Sequence, residues 1–130
     1  MTSPNSRIDV DEFILRNIDS VPHLEALVLL WNSRPVGWTI EDLASRLYVP
    51  LDQVAHLLRD LVRMQLATES QTIPPRFSYL PKSEEQNDLL WSLDAAYRKD
   101  LVRISTLIHS KAASGVREFA RAFRLKQEKK

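Results

Sequence analysis

Residues Thr39 to Leu66 read TIEDLASRLYVPLDQVAHLLRDLVRMQL, and their apolar positions fall into two helical registers separated by a short break. Ile40, Leu43, Ala44 and Leu47 form the first stripe, and Leu51, Val54, Leu57, Leu58 and Leu61 form the second, each with the three-and-four spacing of one helix face. Two short helices therefore share one core, as a helix-turn-helix. Thr39, with Asp42 three positions on, suits a helix N-cap. Pro50 cannot continue the first helix but is tolerated in the first turn of the second. The turn is thus expected at Tyr48 to Pro50.

Downstream, Ala67, Thr68 and Glu69 precede SQTIPPR, and Phe77, Ser78, Tyr79, Leu80 and Pro81 follow it. Two short runs with β-branched and aromatic residues around a proline-containing turn predict a small hairpin. Upstream, Phe13, Ile14, Leu15 and Ile18 give Val10 to Ile18 a short helix with one apolar face, and residues 1 to 8 read as disordered. That face needs a neighbour, either a second copy or the C-terminal helix. Ser20 before Val21 and Pro22 is a helix start. Leu24, Ala26, Leu27, Leu29, Leu30 and Trp31 then make a helix buried on most sides. Asn32 to Gly37, with Pro35, is a loop.

The helix-turn-helix resembles that of bacterial winged-helix regulators. The small Ala44 and, ten residues on, Val54 match most sharply, with Leu43, Leu47, Val49 and Leu57 in the motif's buried slots; Tyr48 departs from it, standing where glycine is common. The resemblance makes the hairpin a wing and gives Trp38 and Thr39 a third short strand. It implies a mainly α fold with a β-hairpin wing: an N-terminal arm and short helix over 1–20, a winged domain over 21–82, and a C-terminal part over 83–130.

The C-terminal part starts at Ser83, with Gln86 three residues later completing a capping box. Leu90, Leu93, Tyr97, Leu101, Ile104, Leu107 and Ile108 continue as one stripe over about five turns, a helix roughly 40 Å long at 1.5 Å per residue. A domain this small cannot cover such a stripe. Leu90, Leu93, Tyr97, Leu101, Ile104 and Ile108 are therefore the expected homodimer interface; the alternative is that the helix folds back on the N-terminal helices of its own chain. A leading helix, a winged helix-turn-helix and a long dimerisation helix are similar in order to the PadR and MarR groups of transcriptional regulators. Ser114 and Gly115 then open a basic amphipathic segment with Val116, Phe119, Ala120 and Phe123 among Arg117, Arg121, Arg124 and Lys126. Such a segment suits DNA phosphates, an anionic membrane or an acidic protein partner; it equally suits a packing helix with a solvated basic face.

The formal net charge of +1 conceals an asymmetry. Residues 1–20 carry two basic and four acidic groups, 21–82 six of each, 83–100 two basic and five acidic, and 101–130 eight basic and two acidic. A neutral winged segment predicts weak DNA binding by one copy, because non-specific affinity comes mainly from neutralised phosphates.

The winged-helix resemblance implies that the second helix of the motif enters the major groove of double-stranded DNA. Gln53, His56 and Arg59 are then the base-facing residues, and Arg46, Arg63 and Arg76 the phosphate contacts. Asp52 and Asp60 oppose this, and Leu51 stands where such regulators often carry a small hydroxyl residue. The rival reading is a winged-helix protein-interaction module, an adaptor using Leu51 and the acidic groups near it.

Enzymatic chemistry finds little support. His23, His56 and His109 fall in different expected helices, so short-spaced metal motifs are absent; two isolated glycines make no phosphate loop, and no cysteine exists to act as nucleophile. Glu84, Glu85 and Asp88 suit the positive end of a helix dipole without a catalytic role. No metal or cofactor is expected. Trp31, Trp38, Trp91 and Tyr97 are either core or the lining of an effector pocket. The absence of cysteine, of an apolar run of about 18 residues and of a signal core predicts a cytoplasmic chain without a membrane span.

Overall fold

The computed structural model describes residues 6–110 of the 130-residue chain. Five helices and two strands follow in the order α1 (Ser6–Asn17), α2 (Val21–Ser33), α3 (Ile40–Leu47), α4 (Leu51–Arg63), β1 (Ala67–Glu69), β2 (Phe77–Tyr79) and α5 (Glu84–Lys99). A further helical segment, α6, occupies 101–110.

The central element is α2. The Ser20 hydroxyl accepts from the His23 amide at 3.3 Å, and Pro22 sits in the first turn, where its missing N–H costs nothing. Leu24, Ala26, Leu27, Val28, Leu30 and Trp31 are all buried, as a helix apolar on most sides requires. It packs against α3, α4, α5 and β2.

Thr39 caps α3 by accepting from the Asp42 amide at 3.1 Å. Tyr48 ends α3 in the left-handed region, φ 57° and ψ 46°, with its ring 93% exposed. The departure from glycine thus falls at the one turn position where a side chain is sterically penalised. Pro50 is the N-cap of α4, one position earlier than the first-turn placement expected from sequence. At the other end of α4, Gln65 is also left-handed. Its amide bonds to Val62 O, and Leu66 N bonds to Leu61 O, a Schellman closure.

The hairpin pairs Ala67 with Tyr79, Thr68 with Ser78 and Glu69 with Phe77. Trp38 adds the third short strand as a single bridge, exchanging two 2.8 Å backbone hydrogen bonds with Phe77. Ala67, Phe77 and Tyr79 face the core, where the Tyr79 ring meets Trp31 edge to face at 5.0 Å.

The C-terminal part departs from expectation in three ways. Ser83 caps α5 by accepting from the Gln86 amide, but the Gln86 side chain donates to Leu80 O and Tyr79 Oη, so the reciprocal arm of the capping box is replaced by a tie to the wing strand. The expected single long helix is broken at Asp100, with φ −141° and ψ 44°. Asp100 closes α5 through its amide to Ala96 O, and its carbonyl accepts from Ile104 N to open α6. Aspartate favours such a boundary over a helix interior. The expected dimer stripe is also divided: Leu90, Leu93, Ile104 and Ile108 are buried in the chain's own core with Val10, Ile14 and Ile18 of α1, Tyr97 is half-buried, and Leu101 is 45% exposed. The fold-back alternative accounts for the four buried residues, because α1 starts at Ser6 rather than Val10 and is long enough to cover them. The basic segment from Ser114 onward lies outside the described residues.

Candidate nucleic-acid interface

The helix α4 has two distinct sides. Val54, Leu57, Leu58 and Leu61 are buried against the core, while Gln53, His56, Arg59 and Arg63 are exposed. The expected base-facing residues Gln53, His56 and Arg59 therefore share one solvent-facing strip about two turns long. Gln53 offers an amide with donor and acceptor, His56 an imidazole and Arg59 a planar donor fork, the groups that pair with base edges.

Asp60 lies on the opposite side from where the sequence reading set it. It is 8% exposed, and its carboxylate accepts from Arg63 one turn on and lies 3.7 Å from His56 Nε2. Its charge is thus answered within the helix and does not project at a ligand. The same pairing ties down one phosphate-contact candidate, Arg63, whose side chain nonetheless stays 76% exposed. Asp52, in the first turn of α4, remains exposed on the strip's edge.

Arg46 is exposed on the last turn of α3, and Arg76 at the base of the wing. Arg76 is held in place: its amide donates to Ser70 Oγ, its carbonyl accepts from Ser70 N, and Nη1 reaches Gly37 O at 3.2 Å. Gly37 is needed there because a Cβ would meet Arg76 Cβ at 2.9 Å. The wing tip is bound to itself through Ser70 Oγ and Thr72 Oγ1 at 2.6 Å and Thr72 Oγ1 to Pro74 O at 2.9 Å, with Ile73 99% exposed. Between the tip and α4 runs a cleft of about 390 Å³, lined by Thr39, Ile40, Glu41, Leu51, Asp52, Ala55, Pro74 and Pro75. Sequence reasoning missed this cleft, because only the folded hairpin brings PPR back over the start of α4.

The four aromatics proposed for an effector pocket do not converge. Trp31 is core, with the Arg34 guanidinium 3.5 Å over its ring; Trp38 donates to Ser33 Oγ at 2.8 Å; Tyr97 is half-buried, its pKa raised by burial and then by Glu25. Trp91, 68% exposed, alone lines a large groove between α1 and α5. Among the described residues no three histidines or carboxylates gather as a metal site, and no helix is long and apolar enough to cross a membrane.

No protein-family model matches the sequence, and no curated protein does. Solved structures do match in three dimensions. The transcriptional regulator Tm0710 from Thermotoga maritima aligns with 95% of this chain and 87% of its own at 11% identity and a TM-score of 0.52. MepR, a transcription regulator of the Staphylococcus aureus multidrug efflux pump MepA, aligns over 92% and 89% at 15% identity and 0.54. The multiple antibiotic-resistance repressor MarR from Listeria monocytogenes aligns over 94% and 86% at 15% identity and 0.51. At these identities the likeness carries the fold and its full extent: the chain is a winged-helix protein of the architecture seen in the MarR-type transcriptional regulators.

Proposed function

We propose that this protein is a dimeric DNA-binding transcriptional regulator in which α4 enters the major groove, with Gln53, His56 and Arg59 toward bases and Arg46, Arg63 and Arg76 on phosphates. One observation carries the reading: the outward strip of α4 bears base-pairing side chains, its one buried carboxylate is neutralised by Arg63, and an anchored arginine flanks it on the wing. The similar structures, regulators by their descriptions, support the same use of the fold. The chemistry is recognition alone, at a cytoplasmic promoter. Two copies are needed because the exposed cations of one winged domain are nearly balanced by Glu41, Asp42, Asp52 and Glu69.

Equilibrium binding of the full chain to random-sequence duplex DNA at about 50 and about 200 mM salt tests this. Six phosphate contacts in a dimer give a log–log slope of about −5. Salt-independent affinity, or none, overturns the reading.

A second reading is favoured by the cleft beside α4. Its apolar floor of Ile40, Leu51, Pro74 and Pro75, with Glu41 and Asp52 at the edge, suits a basic, apolar peptide better than a phosphate chain. In that case the winged helix is a protein-interaction module, and DNA affinity stays unchanged when Arg59 is removed.

A further inference from the structure

The chain's acidic and basic groups are segregated along the sequence, and folding brings the acidic parts together. On α1, Asp9, Glu12, Phe13 and Arg16 recur at i, i+3, i+4 and i+7; on α5, Glu85, Asp88, Leu89 and Ser92 do the same. Both strips line one groove of about 860 Å³, closed below by Met64 and Leu66 and flanked by Trp91. Four carboxylates thus rim an apolar floor. Glu12 pairs with Arg16 at 2.7 Å, whereas Asp9, Glu85 and Asp88 have no ion-pair partner among the described residues. Trp91 is 68% exposed, an apolar ring left in water at the groove's edge.

Outside the described residues the chain continues for 20 more, and this stretch holds its densest positive charge. Val116, Phe119, Ala120 and Phe123 have the same i, i+3, i+4, i+7 spacing, and Arg117, Arg121, Arg124 and Lys126 stand around them. An apolar stripe with basic flanks is the complement of an apolar floor with acidic rims, in the helix-in-groove manner.

We propose that residues 116–126 of one copy occupy the α1–α5 groove of a second copy, reciprocally across a two-fold axis. This rests on the dimeric reading above and specifies its contact. The choice of a second copy over the same chain follows from where α6 lies. Arg103 of α6 is bound to Asp11. At about 100° per residue, Asp11 points some 150° away from the Asp9, Glu12, Phe13 and Arg16 strip. The chain therefore leaves α6 on the far side of α1 from its own groove. Rounding a helix about 11 Å across takes roughly 17 Å, the full stretch of the five residues between Ser110 and Val116. A partner's segment approaches without that constraint, and the exchange also gives cover to the exposed Leu101 and Val102 beyond the groove.

The full chain contains no cysteine, so a single pair can be introduced cleanly. Trp91→Cys with Phe119→Cys, oxidised and run without reductant, is expected to give a covalent dimer; a covalently closed monomer or unlinked chain overturns the proposal. Charge exchange supplies a second readout that does not depend on packing. Glu85→Lys with Asp88→Lys, and separately Arg121→Glu with Arg124→Glu, should each weaken dimerisation by roughly tenfold or more. Mixed together, the two reversed chains should pair with each other at close to native affinity, since each groove then faces a tail of opposite sign. Dimers indifferent to both reversals contradict the groove contact while leaving the dimeric regulator intact. A chain that is monomeric when unaltered removes both.

Discussion

Arg103 Nη1 lies 3.0 Å from both carboxylate oxygens of Asp11, 92 positions earlier in the chain. Both side chains are about 70% covered, and hydrogen bonding to Asp11 is the first cause holding the Arg103 pKa above its ordinary value. This forked pair joins the first helix to α6 and so closes the helical layer around Ile14 and Ile104. Asp11→Ala is expected to lower unfolding free energy by about 1–3 kcal/mol, the range for a hydrogen bond to a charged group. Urea titration measures it. A double replacement with Arg103→Ala should cost less than the sum of the singles.

Tyr79 supplies a pH dependence. Burial raises its pKa, with the Gln86 hydrogen bond and Arg34 opposing, while its hydroxyl donates to Asn87 Oδ1 at 2.7 Å. A group with a raised pKa keeps its proton in the folded chain after the unfolded chain has lost it. Stability is therefore fully present below about pH 10 and falls as pH rises through the folded value. Thermal melts between pH 9 and pH 11 should show this decline (values on the order of the tyrosine range), and Tyr79→Phe should flatten the part due to this residue.

Tyr48 stands in a left-handed conformation with its ring in solvent, so its side chain contributes little packing to offset the backbone cost. Tyr48→Gly should stabilise the fold by about 1 kcal/mol. A raised melting temperature is the expected result.

On DNA, the two classes of contact separate. Arg46→Ala and Arg76→Ala should each weaken binding evenly across sequences and reduce the salt slope by about 1. Asp52→Asn should strengthen binding, because it removes an exposed carboxylate beside the phosphates. Fluorescence anisotropy on one duplex across a salt series checks all three.

Much of the fold is legible in the sequence because it is local. The two registers of Ile40 to Leu61, the caps at Ser20, Thr39 and Ser83, and the hairpin after Ala67 all follow from neighbouring residues. The helix break is written there too, in Arg98 and Lys99 followed by Asp100, basic residues at a helix end and then a cap former; the continuing apolar stripe outweighs that signal when periodicity alone is read. What is not legible depends on distant parts meeting. Four of the six dimer-stripe residues find partners in α1, Asp60 turns inward to Arg63, and Gln86 leaves its own cap for Tyr79. For the candidate interface, exposure of Gln53, His56 and Arg59 follows from the α4 register, whereas the grip of Gly37 on Arg76 crosses 39 residues and has no local signature.

The most direct test of the central claim is selection from a random duplex pool by the unaltered chain and by Arg59→Ala in parallel, with the bound DNA sequenced. The account expects a palindromic motif with half-sites about one helical turn apart, and for the variant the same motif with preference lost at one position in each half-site and binding weaker by about 1–3 kcal/mol. No enriched motif, or identical motifs and affinities for the two chains, would contradict base reading by α4.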